Sequence, residues 1–565
     1  MTRPFLRQKL RLEFVLLLIF ASLAIFSNLG LPKDFVRAES YFALGSQLMA
    51  QSGDWLSPHA PDEPVLNKPP LQYWLTGLAY KLFGYNYATA RLPSGLAALS
   101  VLLAVYLLGA RLFGRHAGLL AAACLMTSYI FYAFSRTAMS DMLLTLCVSA
   151  ALACFVLALT GKSAGREKWV VLCGYLFMAL GVLAKGPVAI VLVAGPLFFE
   201  LLLSRDFRML KRLSVFRGAI VILLVAGPYF LLLYLHQGAE PLRSFFIGEN
   251  LQRFTGEIYG YATIPFWRLP LSFLGNFAPW SLLLFPAVYF DWKSGRGLSP
   301  DERRARRLLY LWLFFPLVFF SFSHFKLDYY LLPAMPAAAL VLGSFTQRLN
   351  ELSKSARVLT YTLTILMALV MIIASFISVR IASALMYGTA LGWPLAALTV
   401  CAFLFILYSL YRGSARRAVW ALAFSIWSLL LLYGLTLAPA LAKYNPLEGL
   451  AASVPQSSRS VYTSYSTSDW ANTLAFHLPP GTKVTRLIND RDGTELQELL
   501  TRDAEAVVLL KEVDYARLKA SGIPLRPLAE GESYGHGGIT FDLLRRPVAE
   551  RLLVVQRGES AGSRQ

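Results

Sequence analysis

The chain has 565 residues, of which 56% are hydrophobic and only 15% are charged. An average soluble domain carries about 25% charged residues, so this composition excludes an ordinary soluble enzyme and indicates a protein whose main solvent is lipid. The net charge of +20 would suggest nucleic acid as the partner of a soluble protein, but here the basic residues lie mostly in short loops between apolar runs, where they orient helices. We therefore expect membrane lipids, and no nucleic acid, around this chain.

The first apolar run, Leu12 to Leu31, follows a basic tail and is long enough to cross the roughly 30 Å hydrocarbon core. It ends without a small-x-small cleavage pattern, which favours a retained helix over a signal peptide. With the apolar segments that follow, the sequence predicts about thirteen transmembrane helices. The later segments are Arg91–Phe113, Ala117–Thr137, Met139–Leu159, Trp169–Lys185, Pro187–Ser204, Leu213–His236, Trp267–Phe290, Leu308–Ser323, Tyr329–Phe345, Val358–Ser378, Leu391–Tyr411 and Val419–Leu441.

The loops between these segments alternate in charge. Every second loop carries an excess of Lys and Arg, as in the run from Arg303 to Arg307, and such loops face the cytoplasm. The basic N-terminus is therefore predicted to be cytoplasmic, and an odd number of spans places the C-terminal segment outside.

Two polar regions are too long to be simple connections. The first outer loop, residues 32–90, contains two mixed apolar segments, Ala38–Gln51 and Leu71–Phe83, which we expect to be helices in the membrane interface. We assign residues 1–444 to a transmembrane domain and residues 445–565 to a small α/β domain outside the membrane.

Strand-like and helix-like stretches alternate in this C-terminal region. It shows no phosphate-binding glycine loop and no nucleophile elbow, so we expect it to cover the site or to dock an acceptor. The predicted stretches are strands at Ser460–Tyr465, Lys483–Ile488, Ala506–Lys511 and Ile539–Leu544, and helices at Asp469–His477, Thr494–Arg502 and Glu512–Ala520.

Charged residues gather at the predicted outer ends of the helices, where their energetic cost calls for a functional explanation. Carboxylates can accept the proton of an attacking hydroxyl, and cations can hold a departing phosphate. The set consists of Asp34, Glu39, Lys68, Asp141, Lys185, Glu249, Arg253, Lys326 and Asp328.

A series of short motifs in this region resembles one family, the lipid A aminoarabinose transferases and related bacterial members of the protein O-mannosyltransferase group. The similarity covers the membrane region in order. The matching motifs are Ala38-Glu39-Ser40-Tyr41-Phe42, Ser52-Gly53-Asp54-Trp55, Asn67-Lys68-Pro69-Pro70-Leu71-Gln72-Tyr73-Trp74, Arg91-Leu92-Pro93-Ser94, Asp141, Ala184-Lys185-Gly186, Glu249-Asn250-Leu251-Gln252-Arg253-Phe254, Pro265-Phe266-Trp267 and Lys326 to Pro333.

The resemblance implies a type C glycosyltransferase (GT-C) fold and an inverting enzyme of the bacterial inner membrane. Its donor would be a sugar, aminoarabinose or a related one, on undecaprenyl or another polyprenyl phosphate. The acceptor at the periplasmic face would be lipid A, lipopolysaccharide or another envelope molecule. No cofactor is implied, and we expect a monomer.

The same resemblance assigns roles to individual residues. Lys68, Arg253 and Tyr330 would contact the lipid phosphate, with Lys326 close by. The first-loop carboxylate, Glu39 or Asp34, would be the catalytic base, and Asp141 would line the active site beside the sugar and the acceptor.

The sequence departs from the family pattern at three positions. Ala38 stands where relatives have the Asp of an Asp-Glu pair, which leaves the base open between Glu39 and Asp34. Asn67 and Asn250 replace the Glu and His that we associate with a metal position in the aminoarabinose transferases. Because neutral Asn is a poor zinc ligand, we predict no tightly bound metal.

Alternative interpretations exist for the residues and for the whole chain. Asp141 could cap its helix, Glu39 could be a solvated residue on an amphipathic helix, and Lys68 could extend toward the interface. The chain could instead be a protein O-mannosyltransferase-like enzyme, a transporter or flippase of lipid-linked sugars, or a scaffold without activity. A transporter would usually show repeated halves and charges near the bilayer midplane, and the sequence shows neither.

Overall fold

A computed structural model describes residues 3–57, 66, 68–256, 264–294, 298–385, 392–442, 445–503, 505–533 and 550–557. The described part is mostly helical up to residue 442 and mixed α/β after residue 445. The helices of the first half are α1 Arg3–Phe26, α2 Arg37–Ser52, α3 Leu71–Phe83, α4 Tyr87–Phe113, α5 Arg115–Met126, α6 Tyr129–Ser135, α7 Ser140–Leu159, α8 Glu167–Lys185, α9 Val188–Ser204, α10 Arg208–Leu213, α11 Val215–Gln237, α12 Glu240–Arg243 and α13 Arg253–Thr255.

The second half of the helical region follows the same plan. Its helices are α14 Arg268–Asn276, α15 Ser281–Ser294, α16 Pro300–Ser321, α17 Met335–Gln347, α18 Lys354–Leu385, α19 Gly392–Tyr411, α20 Ala415–Leu432, α21 Ala438–Ala442 and α22 Leu447–Ala452. Short π-helical segments lie at Ser244–Gln252 and Tyr433–Leu437, and 3₁₀ segments lie at Asp328–Ala334, Leu349–Glu351 and Tyr465–Trp470.

Several of these helices are suited to crossing a bilayer. Within the described residues, seven helices are long and apolar enough to do so, and two bent pairs bring the number to as many as nine. The bent pairs are α5 with α6, at 72°, and α14 with α15, at 107°. Shorter apolar helices lie at Val15–Phe26, Val188–Ser204 and Ala396–Tyr411. The chain is therefore a polytopic helical membrane protein, as its composition predicts.

The centre of the bundle is built on small residues. Helix α17 is apolar on all sides, and Ala337, Ala338 and Ala339 are fully buried, as expected of a helix surrounded by others. Between α4 and α5, a Cβ atom at Gly118 would lie 2.4 Å from the carbonyl oxygen of Tyr106. Only glycine allows this approach, and close contacts through small residues are typical of helix packing in membranes.

The first outer loop forms the two predicted helices. Helix α3 has the predicted bounds, Leu71–Phe83, and begins directly after two prolines and ends at Gly84. Helix α2 spans Arg37–Ser52 and ends at Gly53, whose φ of +79° suits glycine. The two helices pack against each other, and α3 also contacts α4 and α8.

The C-terminal region contains one five-stranded sheet with the order β2-β1-β3-β5-β4. Strand β1 is parallel to both β2 and β3, whereas β5 is antiparallel to β3 and β4. The strands are β1 Ser460–Thr463, β2 Lys483–Arg486, β3 Val507–Lys511, β4 Leu525–Ser533 and β5 Glu550–Arg557, with helices α23 Ala471–His477, α24 Thr494–Arg502 and α25 Glu512–Ala520.

The predicted elements of this region agree with the structure in order and type, but the prediction lacked two strands. Strands β4 and β5 were missing from it, and they complete the antiparallel half of the sheet. The predicted strand Ile539–Leu544 lies outside the described residues.

The sheet domain rests on the first outer loop. The guanidinium of Arg486 donates to the hydroxyl of Tyr41 at 2.9 Å, and the side-chain amide of Gln47 donates to the carbonyl of Phe476 at 3.2 Å. Tyr41 and Gln47 both lie on α2, so this helix is held between the sheet domain and the membrane bundle.

Candidate active site

A cavity of about 520 Å³ lies where the first outer loop, the segment before α13 and the ends of α7, α8 and α16 meet. Its wall is largely aromatic and aliphatic, with a few charged groups, which is the usual make-up of a ligand site. The charged and polar lining residues are Lys68, Asp141, Lys185, Glu249, Asn250, Arg253, Ser323 and Tyr330.

Three of these residues form a charged cluster on one side of the cavity. The carboxylate of Glu249 accepts from Nζ of Lys68 at 3.0 Å and from Nη1 of Arg253 at 2.6 Å. Glu249 and Arg253 are four residues apart, so one turn of helix places both side chains on the same face. Lys68 reaches them from the loop that leads into α3, and the guanidinium of Arg253 also lies 4.2 Å from the ring centroid of Phe325.

The surroundings of Lys68 affect its titration. Loss of hydration lowers the pKa of its ammonium below the usual 10.5, and Glu249 opposes this shift by favouring the charged form. Arg253 and Lys185 add to the lowering because they are positive. Two cations and one carboxylate thus share this side of the cavity.

A second pair lies in the same cavity. Asp141, in the first turn of α7, accepts a hydrogen bond from Nζ of Lys185, the last residue of α8. That ammonium also lies 5.0 Å from the ring centroid of Tyr330 and 5.6 Å from that of Tyr329. The pair thus brings a carboxylate and a cation together beside an aromatic wall.

The position of Lys185 depends on the residue that follows it. Gly186 has a φ of +81°, and a Cβ atom there would lie 2.6 Å from the ring of Phe245. Glycine is therefore required at this helix end both for its backbone conformation and for lack of space. This turn aims the end of α8 at the cavity.

Lys326 and Tyr330 belong to one motif but occupy different places. Tyr330 lines the cavity, as the resemblance implies. Lys326 lies outside the described lining, and its Nζ donates to the carbonyl of Ile264 at 2.7 Å. It joins the segment before α14 to the segment after α16 and so supports the cavity from outside.

Glu39 lies outside the described cavity lining, and its geometry favours a structural role over that of a catalytic base. Its two oxygens accept from Nε of Arg91 at 2.8 Å and from Nη2 at 3.2 Å, and one of them also accepts from the backbone N–H of Ala138 at 2.8 Å. Both side chains are buried. These contacts engage both oxygens of the carboxylate.

Asp34 also lies outside the lining of the described cavity. Its carbonyl oxygen accepts from Nη2 of Arg91 at 2.5 Å, as the carbonyls of Leu29 and Pro32 accept from Nη1 at 3.2 and 3.1 Å. The guanidinium of Arg91 thus donates hydrogen bonds to three backbone carbonyls of the segment between α1 and α2. Of the three predicted catalytic-site carboxylates, Asp141 lines the described cavity, as expected, whereas the two predicted base candidates do not.

The two positions that we associate with metal ligands in relatives are Asn67 and Asn250 in this chain. Asn250 lines the cavity, and its side-chain amide donates to the carbonyl of Phe245 at 2.7 Å. Asn67 lies outside the described residues. Within the described part of the chain there is no group of three or more His, Cys, Asp or Glu side chains arranged to hold a metal ion, and the prediction that no metal is bound stays a prediction.

Two cavity residues were not among the predicted ligands. Glu249 links the two predicted phosphate ligands, and the spacing of Glu249 and Arg253 by four residues was the signal that could have identified it. Lys185 was named as one of the outer charges and in the motif Ala184-Lys185-Gly186, but no role was assigned to it. Its place at a helix end before glycine was a weaker signal, because many lysines lie at helix ends.

Comparisons with known proteins support the resemblance to membrane glycosyltransferases. The family model for dolichyl-phosphate-mannose-protein mannosyltransferases matches residues 67–231. An uncharacterized protein of Aquifex aeolicus is 30% identical over 360 residues, which cover 63% of this chain and 69% of that protein. An undecaprenyl phosphate-alpha-4-amino-4-deoxy-L-arabinose arabinosyl transferase of Pectobacterium carotovorum is 31% identical over 316 residues.

A solved structure matches over almost the whole chain. The crystal structure of ArnT from Cupriavidus metallidurans bound to undecaprenyl phosphate aligns with a TM-score of 0.71 and 22% identity, and the match covers 96% of this chain and 97% of that one. The chain therefore has the fold of that membrane protein, and part of its sequence is similar to the aminoarabinose transferases. The family predicted from the motifs is confirmed, and so is the GT-C fold.

These similarities do not by themselves identify the substrates. The match to the Pectobacterium arabinosyl transferase spans about half of each chain, 54% in both cases.

Proposed function

We propose that the protein is an inverting glycosyltransferase that transfers aminoarabinose or a related sugar from undecaprenyl or another polyprenyl phosphate to lipid A, lipopolysaccharide or another envelope acceptor. The observation that carries this proposal is the convergence of Lys68, Arg253, Lys185 and Asp141 on one cavity. Cations and a carboxylate in a largely apolar site suit a lipid with a charged head and a hydroxyl acceptor.

The proposal includes a topology. All thirteen predicted segments cross the bacterial inner membrane, with the N-terminus in the cytoplasm and residues 445–565 in the periplasm. This arrangement is supported by the alternation of basic loops and by the position of the sheet domain on α2. Residues 1–444 then form the catalytic domain, with its cavity toward the periplasmic side.

The lipid phosphate binds to Lys68 and Arg253, with Tyr330 beside it. Glu249 holds the two cations at 3.0 and 2.6 Å and so keeps them pointed at the same place. Arg presents several N–H donors that match phosphate oxygens, while Lys contributes a compact charge. Lys326 supports this arrangement through its bond to the carbonyl of Ile264.

In the reaction, an acceptor hydroxyl attacks the anomeric carbon from the side opposite the phosphate. A new carbon–oxygen bond forms, the bond from the anomeric carbon to the phosphate oxygen breaks, and polyprenyl phosphate leaves with the electron pair. Asp141 takes the hydroxyl proton, and Lys185 orients that carboxylate. This role for Asp141 replaces the predicted choice between Glu39 and Asp34 as the base, and it is supported by the place of Asp141 in the cavity lining.

The test is release of polyprenyl phosphate when purified protein is mixed with a polyprenyl-phosphate sugar and lipid A. We expect Lys68→Ala and Arg253→Ala to reduce this release strongly, because the leaving phosphate loses its cations. Matched controls are Lys81→Ala and Arg243→Ala, which remove exposed charges of the same type from the same side of the protein.

Two results would contradict the proposal. Wild-type protein that translocates the lipid-linked sugar without releasing polyprenyl phosphate would be a transporter. Equal activity of the Lys68 and Arg253 variants and their controls would show that the phosphate binds elsewhere. Replacing lipid A by a protein acceptor in the same assay separates the protein O-mannosyltransferase-like alternative.

A further inference from the structure

The sheet domain has a second polar site, separate from the membrane cavity. Strands β2, β1 and β3 are parallel, and the chain passes from β1 to β2 on one side and then returns to β3 on the other. In open α/β sheets, ligands bind in the crevice outside the carboxyl ends of the strands where the order reverses. Here that place is the carboxyl end of β1 and β3.

A cavity of about 40 Å³ lies there, large enough for a few water-sized groups. Ser464 follows β1 directly, and Asp514 lies in the first turn of the helix that follows β3. The lining residues with polar or charged side chains are Ser464, Tyr465, Ser466, Asp490, Arg491, Asp514 and Arg517.

The side chains of this crevice are already oriented by one another. The hydroxyls of Ser464 and Ser466 donate to the same oxygen of Asp514, the former at 3.1 Å. Arg517 lies 3.9 Å from the other oxygen of Asp514. On the rim, the guanidinium of Arg491 lies 5.4 Å from the ring centroid of Tyr465. Tyr465 is 42% exposed.

The mixture of charges favours a neutral ligand rich in hydroxyl groups over an anion. Asp490 and Asp514 would repel a phosphate, and Asp490 already accepts from the backbone N–H groups of Glu495 and Leu496 at the start of α24. A sugar can donate to a carboxylate and accept from a guanidinium at the same time, and an exposed tyrosine ring offers an apolar face to its ring.

The same edge of the sheet meets the outer loop of the membrane domain. Arg486 is the last residue of β2, and its guanidinium donates to the hydroxyl of Tyr41 on α2. A saccharide bound at this edge would therefore lie on the side of the domain that faces the membrane region.

From these observations we propose that the crevice at the carboxyl ends of β1 and β3 is a saccharide-binding subsite that holds the sugar part of the acceptor. The identification of the saccharide as the acceptor rests on the proposed function. Saccharide binding itself does not depend on turnover. The sugar ring lies outside the small cavity, against the rim formed by Tyr465 and Arg491, and its hydroxyl groups reach Asp514 at the floor.

The test is isothermal titration calorimetry of the full-length protein in detergent. The probe is a disaccharide of N-acetylglucosamine, a soluble stand-in for the sugar backbone of lipid A. We expect saturable binding, and we expect Tyr465→Ala and Arg491→Ala each to raise Kd about tenfold or more, which corresponds to about 1.4 kcal/mol. The control Arg502→Ala, on the exposed side of α24, leaves Kd unchanged.

Three outcomes would overturn the subsite. These are no binding by the wild type, equal Kd values in folded Tyr465 and Arg491 variants, and displacement of the disaccharide by inorganic phosphate, which would indicate an anion site. Two rim variants are used so that misfolding of one leaves the other to decide.

The outcomes also separate this inference from the proposed function. Disaccharide binding with the expected variant pattern, but without polyprenyl phosphate release, would remove the transferase and leave the subsite. Turnover with an unchanged KM for lipid A in both rim variants would remove the subsite and leave the transferase.

Discussion

Replacing Glu39 with alanine tests whether this residue is an anchor or a base. The substitution leaves the guanidinium of Arg91 without its carboxylate, and the two side chains are only 3% and 4% exposed. Breaking a buried ion pair by removing one partner costs about 3–5 kcal/mol. The carbonyls of Leu29, Pro32 and Asp34 still accept from Arg91, so we expect a loss toward the lower end, about 3 kcal/mol.

A matched control is available in the same region. Lys33 and Glu448 form an ion pair at 2.7 Å, but their side chains are 47% and 56% exposed. Exposed pairs contribute at most about 1 kcal/mol, so Glu448→Ala should change stability much less. Both variants are compared with the wild type by the fraction of protein that stays monodisperse on size-exclusion chromatography after heating.

Glu39→Gln separates the two roles. If the residue is an anchor, the glutamine keeps an oxygen for the N–H of Ala138, so the variant should be less stable than the wild type but should turn over when folded. If the residue is a base, the amide cannot take a proton, and turnover would fall by about 10²–10⁴ at unchanged stability. That second result, or equal heat sensitivity of Glu39→Ala and Glu448→Ala, would refute the structural role.

Three further predictions concern the cavity and the sheet domain. Burial lowers the pKa of Lys68, so phosphate binding should weaken on the alkaline side before pH 10.5 is reached. Lys68→Arg should move this loss of binding to higher pH because guanidinium stays charged. Coinciding pH profiles of polyprenyl phosphate binding for the wild type and this variant would contradict the prediction. Gly186→Ala should reduce turnover while expression persists, because the new methyl group meets Phe245 and displaces Lys185; wild-type kinetics in this variant would show that the turn is tolerant. Burial lowers the pKa of His477 in the folded protein below 6.5. As the pH falls through 6.5, the unfolded state therefore binds more protons than the folded state, and the stability of the fold should decrease. His477→Gln should flatten the dependence of melting temperature on pH in this range, and an unchanged slope in the variant would assign the effect to other groups.

The sequence predicted the elements whose local signals are strong. Helix α3 was predicted with its correct bounds because two prolines precede an apolar run that ends at Gly84, and these residues determine the helix ends locally. The meeting of Lys68, Arg253 and Tyr330 in one cavity could be expected from the family motifs. Their common environment follows from a bundle whose outer helix ends lie side by side.

Contacts between residues that are far apart in the sequence could not be predicted from such local signals. Glu39 and Arg91 are 52 positions apart in the chain, and nothing in the pattern around either residue shows that they meet. A buried ion pair and a catalytic carboxylate look alike in a sequence, because both are charged residues in an otherwise apolar region. They differ in their neighbours in the folded protein, which the sequence does not show.

One of the two missed strands, β4, has a similar explanation, whereas the apolar run at 552–555 in β5 was a strand signal that the prediction overlooked. Strand β4 contains Pro527 and Gly531, which are poor strand residues, and the register shifts between Pro527 and Ala529. Its partner β5 supplies the hydrogen bonds that hold it in the sheet. Such a strand owes its conformation to its neighbour more than to its own residues.

The most direct test of the phosphate site is an electron cryo-microscopy structure of the full-length protein in lipid nanodiscs with undecaprenyl phosphate. We predict phosphate density within hydrogen-bonding distance of Lys68 Nζ and the Arg253 guanidinium, beside Tyr330. Phosphate density at another place, with Lys68 and Arg253 still paired with Glu249 and far from the lipid, would contradict the proposed site.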